Sequence, residues 1–106
     1  MIDAAALKSQ INEAPAVLVY VSTADCSVCT ALLPKVQELL EERFPKMELL
    51  HVLLDEAPEL GDRFLVTAVP TVIGYFAGRE HVRKVRVFGI EELAAALERP
   101  YSLLFD

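Results

Sequence analysis

"AVLVYVSTADCSVCT", residues 16–30, sets a strand, a polar junction and the mouth of a helix in immediate succession. Residues 16–22 are a continuous, β-branched apolar run, the pattern of a strand buried on both faces. The next seven, "TADCSVC", are short and polar, and they hold both cysteines of the chain, Cys26 and Cys29. In residues 30–44, "TALLPKVQELLEERF", Leu32, Leu33, Val36, Leu39 and Leu40 recur at helical spacing, with Lys35, Glu38, Glu41 and Glu42 opposite. Pro34 lies inside that pattern and predicts a kink after the first turn, and Pro45 marks the end.

Working outward, Asp3 is placed to cap a first helix whose apolar side includes Leu7 and Ile11, and Pro15 ends it. Residues 47–55, "MELLHVLLD", read as a second buried strand, and residues 57–66 as a short helix opened by Pro58. "VPTVIGYFAG", 69–78, reads as a third strand running into a glycine turn, with 81–87, "HVRKVRV", as its hairpin partner. Strict alternation sets Arg79, His81, Arg83 and Val85 on one side of that strand, and Val82, Lys84 and Arg86 on the other. So many cations suit a solvated edge, where they discourage edge-to-edge pairing; a dock for an acidic partner is the alternative. A last helix spans 89–98 with Leu93, Ala94 and Leu97 inward, and Pro100 is expected to stop it. Beyond it, Tyr101, Leu103, Leu104 and Phe105 either fold back on the domain or form a partner contact. The order αβαβαββα predicts an α/β fold with a mixed sheet covered by helices on both faces.

The 106 residues suit one domain, 1–106, and 54% hydrophobic residues supply an ample core. A net charge of −6 argues against nucleic acid and anionic membrane as partners. That charge is uneven: residues 1–62 hold 4 Lys/Arg against 11 Asp/Glu, and residues 63–106 hold 6 against 5. With neither a signal-peptide pattern nor an apolar run of membrane-spanning length, the expected location is the cytoplasm, where idle thiols stay reduced.

The cysteine pair lies past the carboxyl end of the first strand, where open α/β sheets place their sites. Cys26 falls at the helix mouth, whose unpaired N–H groups and partial positive charge favour a thiolate. Cys29, three residues on, faces the same way with Cβ atoms about 5–6 Å apart. A disulfide prefers about 3.5–4.5 Å, so a bridge is reachable without being relaxed. The outer thiol can meet a partner and the inner one resolve the mixed disulfide. A zinc site needs further ligands, and the two histidines, His51 and His81, have no finger-like spacing, so no metal is expected. Two inert core cysteines remain the bland alternative.

On these features the chain resembles the thioredoxin family over nearly its whole length. "CSVC" follows a β-branched strand, Pro34 stands five residues past the second cysteine, "AVPT" at 68–71 matches the family's Val-Pro-Thr loop, and "YFAGRE" at 75–80 its hairpin turn. The resemblance implies a thioredoxin-like four-stranded sheet and a cis bond before Pro70, with Val69 and Pro70 facing the cysteines. An incoming peptide would pair with the backbone of Val69. It also implies a thiol–disulfide oxidoreductase with Cys26 and Cys29 catalytic, without metal or organic cofactor. Its partners would be protein disulfides and an electron-donating reductase or low-molecular-weight thiol. A glutaredoxin-like, small-thiol-dependent reductase and a redox-sensing binding module stay open.

The chain departs from the family at four places. Asp25 replaces the usual Trp before the first cysteine, and either raises the Cys26 pKa by its charge or caps the helix. Tyr20 stands where many members carry a buried Asp serving the inner thiol, and His51 where a Lys is common. Tyr20 and His51 are therefore expected as a buried, hydrogen-bonded pair behind Cys29, with His51 aiding its deprotonation or both being satisfied core groups. Ser27 and Val28 replace the frequent Gly-Pro. A glycine common near the end of the last strand corresponds to Arg86 or Val87.

Overall fold

Asp3 opens the first helix as expected: its carboxylate accepts from the Ala6 N–H at 2.8 Å, and α1 runs Ala4–Glu13. The computed structural model describes residues 3–106. Past Pro15 come β1 (Ala16–Ser22), α2 (Ser27–Arg43), β2 (Glu48–Leu53), α3 (Glu59–Arg63), β3 (Thr71–Phe76), β4 (Arg79–Val85) and α4 (Ile90–Phe105). The four strands form one sheet in the order β2-β1-β3-β4. β1 and β2 are parallel, and the other two pairings are antiparallel.

The unbroken apolar run of β1 follows from this position. Flanked by strands on both edges and helices on both faces, all seven of its residues are buried. Ala16, Leu18 and Tyr20 join the cluster of Val36, Leu39 and Leu40 from α2 and Leu93, Ala94 and Leu97 from α4. Val17, Val19 and Val21 join Leu7 and Ile11 from α1 and Leu60 from α3. Each such aliphatic side chain contributes about 1.5–3 kcal/mol on burial. This sheet holds the amino end of α2, and with it the cysteines, at the carboxyl end of β1.

Three expectations give way. β2 is an edge strand rather than a buried one: only Val52 is buried, and His51 is exposed. With β1 on one side only, its apolar residues are half-covered. Pro100 does not stop the last helix, which continues to Phe105. There, the Tyr101 ring packs on Phe44 at 5.1 Å, and its hydroxyl accepts from the Lys46 N–H at 3.0 Å. Those contacts outweigh the missing proline donor, although Leu103 stays 73% exposed on the same turn. α2 starts at Ser27 with Cys26 at its mouth, as expected. In β4, which is the other edge as expected, Gly74 pairs with Val82 and Tyr75 with Glu80, so His81 is the extra residue of a bulge. Alternation therefore breaks. His81 sets its ring edge-on to Phe76, while Glu80 and Arg83 come to one face and bond at 2.8 Å. Among the described residues, no helix is long and apolar enough to cross a membrane.

Candidate active site

The junction after β1 is tied down at several points. The Ala24 N–H donates to Asp55 Oδ1 at 3.1 Å, the Leu54 N–H to the Ser22 carbonyl at 3.0 Å, and the Cys26 N–H to the Thr23 carbonyl at 3.4 Å. Cys26 is then the N-cap of α2, and its Sγ accepts from the Cys29 N–H at 3.2 Å. The helix-capping role considered for Asp25 thus falls to Cys26 itself. The Asp25 carboxylate accepts from the Thr23 hydroxyl at 3.0 Å and remains exposed beside the site.

Cys26 and Cys29 are joined in a disulfide, with Cα atoms 5.3 Å apart. Their settings differ. Cys26 is half-buried, and Cys29 is only 2% exposed, under the first turn of α2. The sulfur that faces solvent is also the one that receives a backbone N–H at a helix amino terminus, the setting that stabilises a thiolate.

Behind the pair, Tyr20 is fully buried and donates its hydroxyl to the Cys29 carbonyl at 2.6 Å. Burial pushes its pKa up from 10.0 to about 12. At neutral pH it is a fixed donor and not a proton acceptor. His51 does not complete the expected buried pair. Its ring stands edge-on to Tyr20 at 5.5 Å, but its Nε2 bonds the Ser22 hydroxyl at 2.6 Å, and the imidazole is exposed. The parallel register explains both contacts: Tyr20 lies opposite His51, and Ser22 is two residues on, on the same face. Besides the tyrosines Tyr20 and Tyr75, the buried polar side chains among the described residues are Ser22 and Thr71, and none of these is a carboxylate.

The segment before β3 approaches the same apolar cluster. The Val69–Pro70 peptide bond is cis. Pro70 is buried, and half-buried Val69 packs against the cluster that contains Cys26 and Cys29. The buried Thr71 hydroxyl donates to the Ala68 carbonyl at 2.6 Å and closes the turn. The Arg86 N–H donates to the Pro70 carbonyl at 2.7 Å. Val69 itself makes no backbone hydrogen bond among the described residues. No group of three or more His, Cys, Asp or Glu among these residues is placed to hold a metal ion.

A family model described as Thioredoxin matches residues 1–99. The chain belongs to the thioredoxin family. It is 35% identical over 85 residues to the thioredoxin-like protein YdfQ of Bacillus subtilis (strain 168), covering 80% of this chain and 75% of that protein. Among solved structures, thioredoxin 1 of Thermosipho africanus superposes with a TM-score of 0.74 at 31% identity, covering 82% of this chain and 96% of that one. Fasciola hepatica thioredoxin does so with a TM-score of 0.78 at 28% identity, covering 90% and 92%. A thioredoxin-family chain with a bonded Cys-x-x-Cys pair at the helix mouth is a thiol–disulfide oxidoreductase.

Of the residues singled out in the sequence, Tyr20 and Cys29 belong to one apolar cluster, Cys26 and Val69 pack against it, and Pro70 follows Val69 across the cis bond. Sequence reading did not single out Ser22, Asp55 or Thr71. Asp55 had a faint signal: as the first polar residue past an apolar strand parallel to β1, it sits level with the loop it anchors.

Proposed function

We propose that this thioredoxin-family chain reduces disulfides of partner proteins by dithiol exchange, working in the cytoplasm as a single domain, 1–106. The observation that supports this most is the unequal pair: a half-exposed Cys26 holding a helix-terminal N–H, and a sealed Cys29 one turn behind. In the reduced protein, the Cys26 thiolate attacks one sulfur of the partner disulfide. A Cys26–partner disulfide forms, and the other partner sulfur leaves as a thiolate that takes a proton from water. Cys29 then gives its proton to solvent and attacks the Cys26 sulfur. The internal disulfide forms, and the second partner thiolate is released. Two electrons pass to the partner, and a reductase or a low-molecular-weight thiol returns them to the chain.

Val69 and Pro70 hold the partner backbone in this reading. The N–H and carbonyl of Val69, free of internal partners, suit a short added strand. Neither metal nor organic cofactor enters the reaction. Asp25 acts as a fixed charge beside Cys26, and His51 as a brace for Ser22 rather than a base.

The test is to trap the intermediate. Cys29→Ser should accumulate protein adducts through Cys26, recovered by thiol release and identified by mass spectrometry, and Cys26→Ser should give none. Turnover of insulin disulfides by the parent chain, compared under reductase and small-thiol supply, identifies the electron source. Equal, empty traps from both variants would overturn the exchange reading in favour of a sensor or an inert pair.

A further inference from the structure

In the second half of β4 the cations Arg83 and Lys84 are committed to internal partners. Arg83 bonds Glu80 and the carbonyls of Phe64 and Leu65. Lys84 Nζ lies 3.1 Å from Glu92 Oε2. Arg86 follows, is exposed, and its side chain makes neither ion pair nor hydrogen bond among the described residues. Its backbone is nevertheless fixed in the left-handed region at φ 65, a conformation that favours glycine. Two bonds fix it: the Val87 N–H closes a γ-turn on the Val85 carbonyl at 2.9 Å, and the Arg86 N–H donates to the carbonyl of Pro70, the residue after Val69, at 2.7 Å. Exposed apolar residues flank it, Val85 at 43% and Val87 at 93%.

A strand laid against the free backbone of Val69 would pass next to the residue whose N–H holds the Pro70 carbonyl, and that residue carries an uncommitted guanidinium. The setting sharpens its effect. The whole chain carries −6, so an unpaired cation stands out against the prevailing negative charge. We infer that Arg86 is a specificity-determining residue, selecting disulfide partners whose docked segment carries an aspartate or glutamate beside the target cysteine. This deepens the exchange reading above and rests on it.

The test uses three peptide disulfides that differ only in one residue beside the cysteine: Glu, Gln or Lys. Each rate constant with the reduced protein is divided by that of the same peptide with dithiothreitol, which removes the peptide's own reactivity. The Glu peptide should react about three- to fivefold faster than the Gln peptide at low salt, the range of an exposed ion pair. The Lys peptide should be slowest, and the order should fade at about 1 M salt. Arg86→Gln should erase the order and Arg86→Glu reverse it. Arg86→Gly should also erase it without lowering the melting temperature, which separates loss of the charge from loss of the fold. Arg79→Gln removes the same charge from the far end of β4, about 20 Å away, and should keep the order.

A Glu preference that survives Arg86→Gln, or disappears equally in Arg79→Gln, would overturn the inference while leaving exchange intact. So would equal rates for all three peptides. No reaction with any peptide, together with an empty Cys29→Ser trap, would bring down the exchange reading and this inference with it.

Discussion

The two ends of the sheet use left-handed backbone for different reasons. At the hairpin end, Ala77 (φ 54) and Gly78 (φ 79) are the two loop residues between β3 and β4. A two-residue hairpin loop of this kind needs positive φ at both positions to match strand twist. In the connection from α3 to β3, Leu65 (φ 56) closes α3: the Val66 N–H reaches the Gly61 carbonyl at 2.7 Å and the Leu65 N–H the Asp62 carbonyl at 3.4 Å. That is the bonding of a helix C-cap, where left-handed residues are ordinary. Arg86 sits at the centre of a γ-turn, in which the Val87 N–H reaches the Val85 carbonyl at 2.9 Å, and its own N–H is held by the Pro70 carbonyl at 2.7 Å. The hairpin and the cap use left-handed residues in their ordinary places; the γ-turn with positive φ is the rare and strained form, and it carries a long cationic side chain where glycine would be at ease.

Exchanging the two chemistries should break this contrast or sharpen it. Gly78→Ala forces a Cβ into the left-handed region and should cost about 1–2 kcal/mol in denaturant unfolding. The contact it makes, 3.0 Å to Asn12 Oδ1, is with a side-chain end that can move, so the backbone dominates that cost. Disulfide exchange per folded molecule should not change. A Gly78→Ala variant as stable as the parent would show that the hairpin does not need its glycine, and the contrast with Arg86 would fail.

The next effect is smaller and lies behind the site. Tyr20→Phe removes the hydroxyl bonded to the Cys29 carbonyl and should cost about 1 kcal/mol at neutral pH. Alkali distinguishes this bond from mere packing. The pKa of Tyr20 is raised from 10.0 to about 12, so the folded state keeps a proton that the unfolded chain releases. The stability tied to it is complete below pH 10 and is lost as pH rises through about 12. Tyr75 behaves alike, raised to about 12 by burial and then by Glu80. Unfolding titrations across that window should show a clear alkaline loss in the parent and a shallower one in Tyr20→Phe, with the Tyr75 part remaining. Identical alkaline slopes would mean that Tyr20 ionises freely and is not buried as the structure has it.

Much of this contrast was legible in the sequence, and its gaps have physical causes. β1 announces itself because a central strand with helices on both faces needs apolar residues at every position. β2 carries a similar apolar run, yet lies at the edge, since hydropathy does not report how many neighbours a strand has. The same misreading buried His51. Pro100 misled because local propensity ends a helix there, whereas the Tyr101 contacts with Phe44 and Lys46 carry it on. The bulge at His81 escaped strict alternation because one inserted residue flips every later side chain. Cys26, Cys29, Val69 and Pro70 were legible because they follow from motif and element order. Arg86 was legible in part, as a cation and as a departure from a common glycine; its backbone angle and its bond to a residue sixteen positions away were not, because they arise only in the folded chain.

The smallest effect belongs to His51. Its Nε2 is 2.6 Å from the Ser22 hydroxyl, which is buried to 2% exposure, whereas the imidazole lies open to solvent. Removing the ring in His51→Ala admits water to Ser22 from the exposed side of β2, so the hydroxyl regains a partner. The loss of stability should then stay below about 1 kcal/mol, under the penalty for a stranded buried group. The pH profile of disulfide exchange should keep its midpoint, because the polar contact of the imidazole is Ser22 and not either cysteine. A displaced midpoint with stability intact would restore His51 as a proton carrier for Cys29. The site end would then hold two functional departures from ordinary packing instead of Arg86 alone.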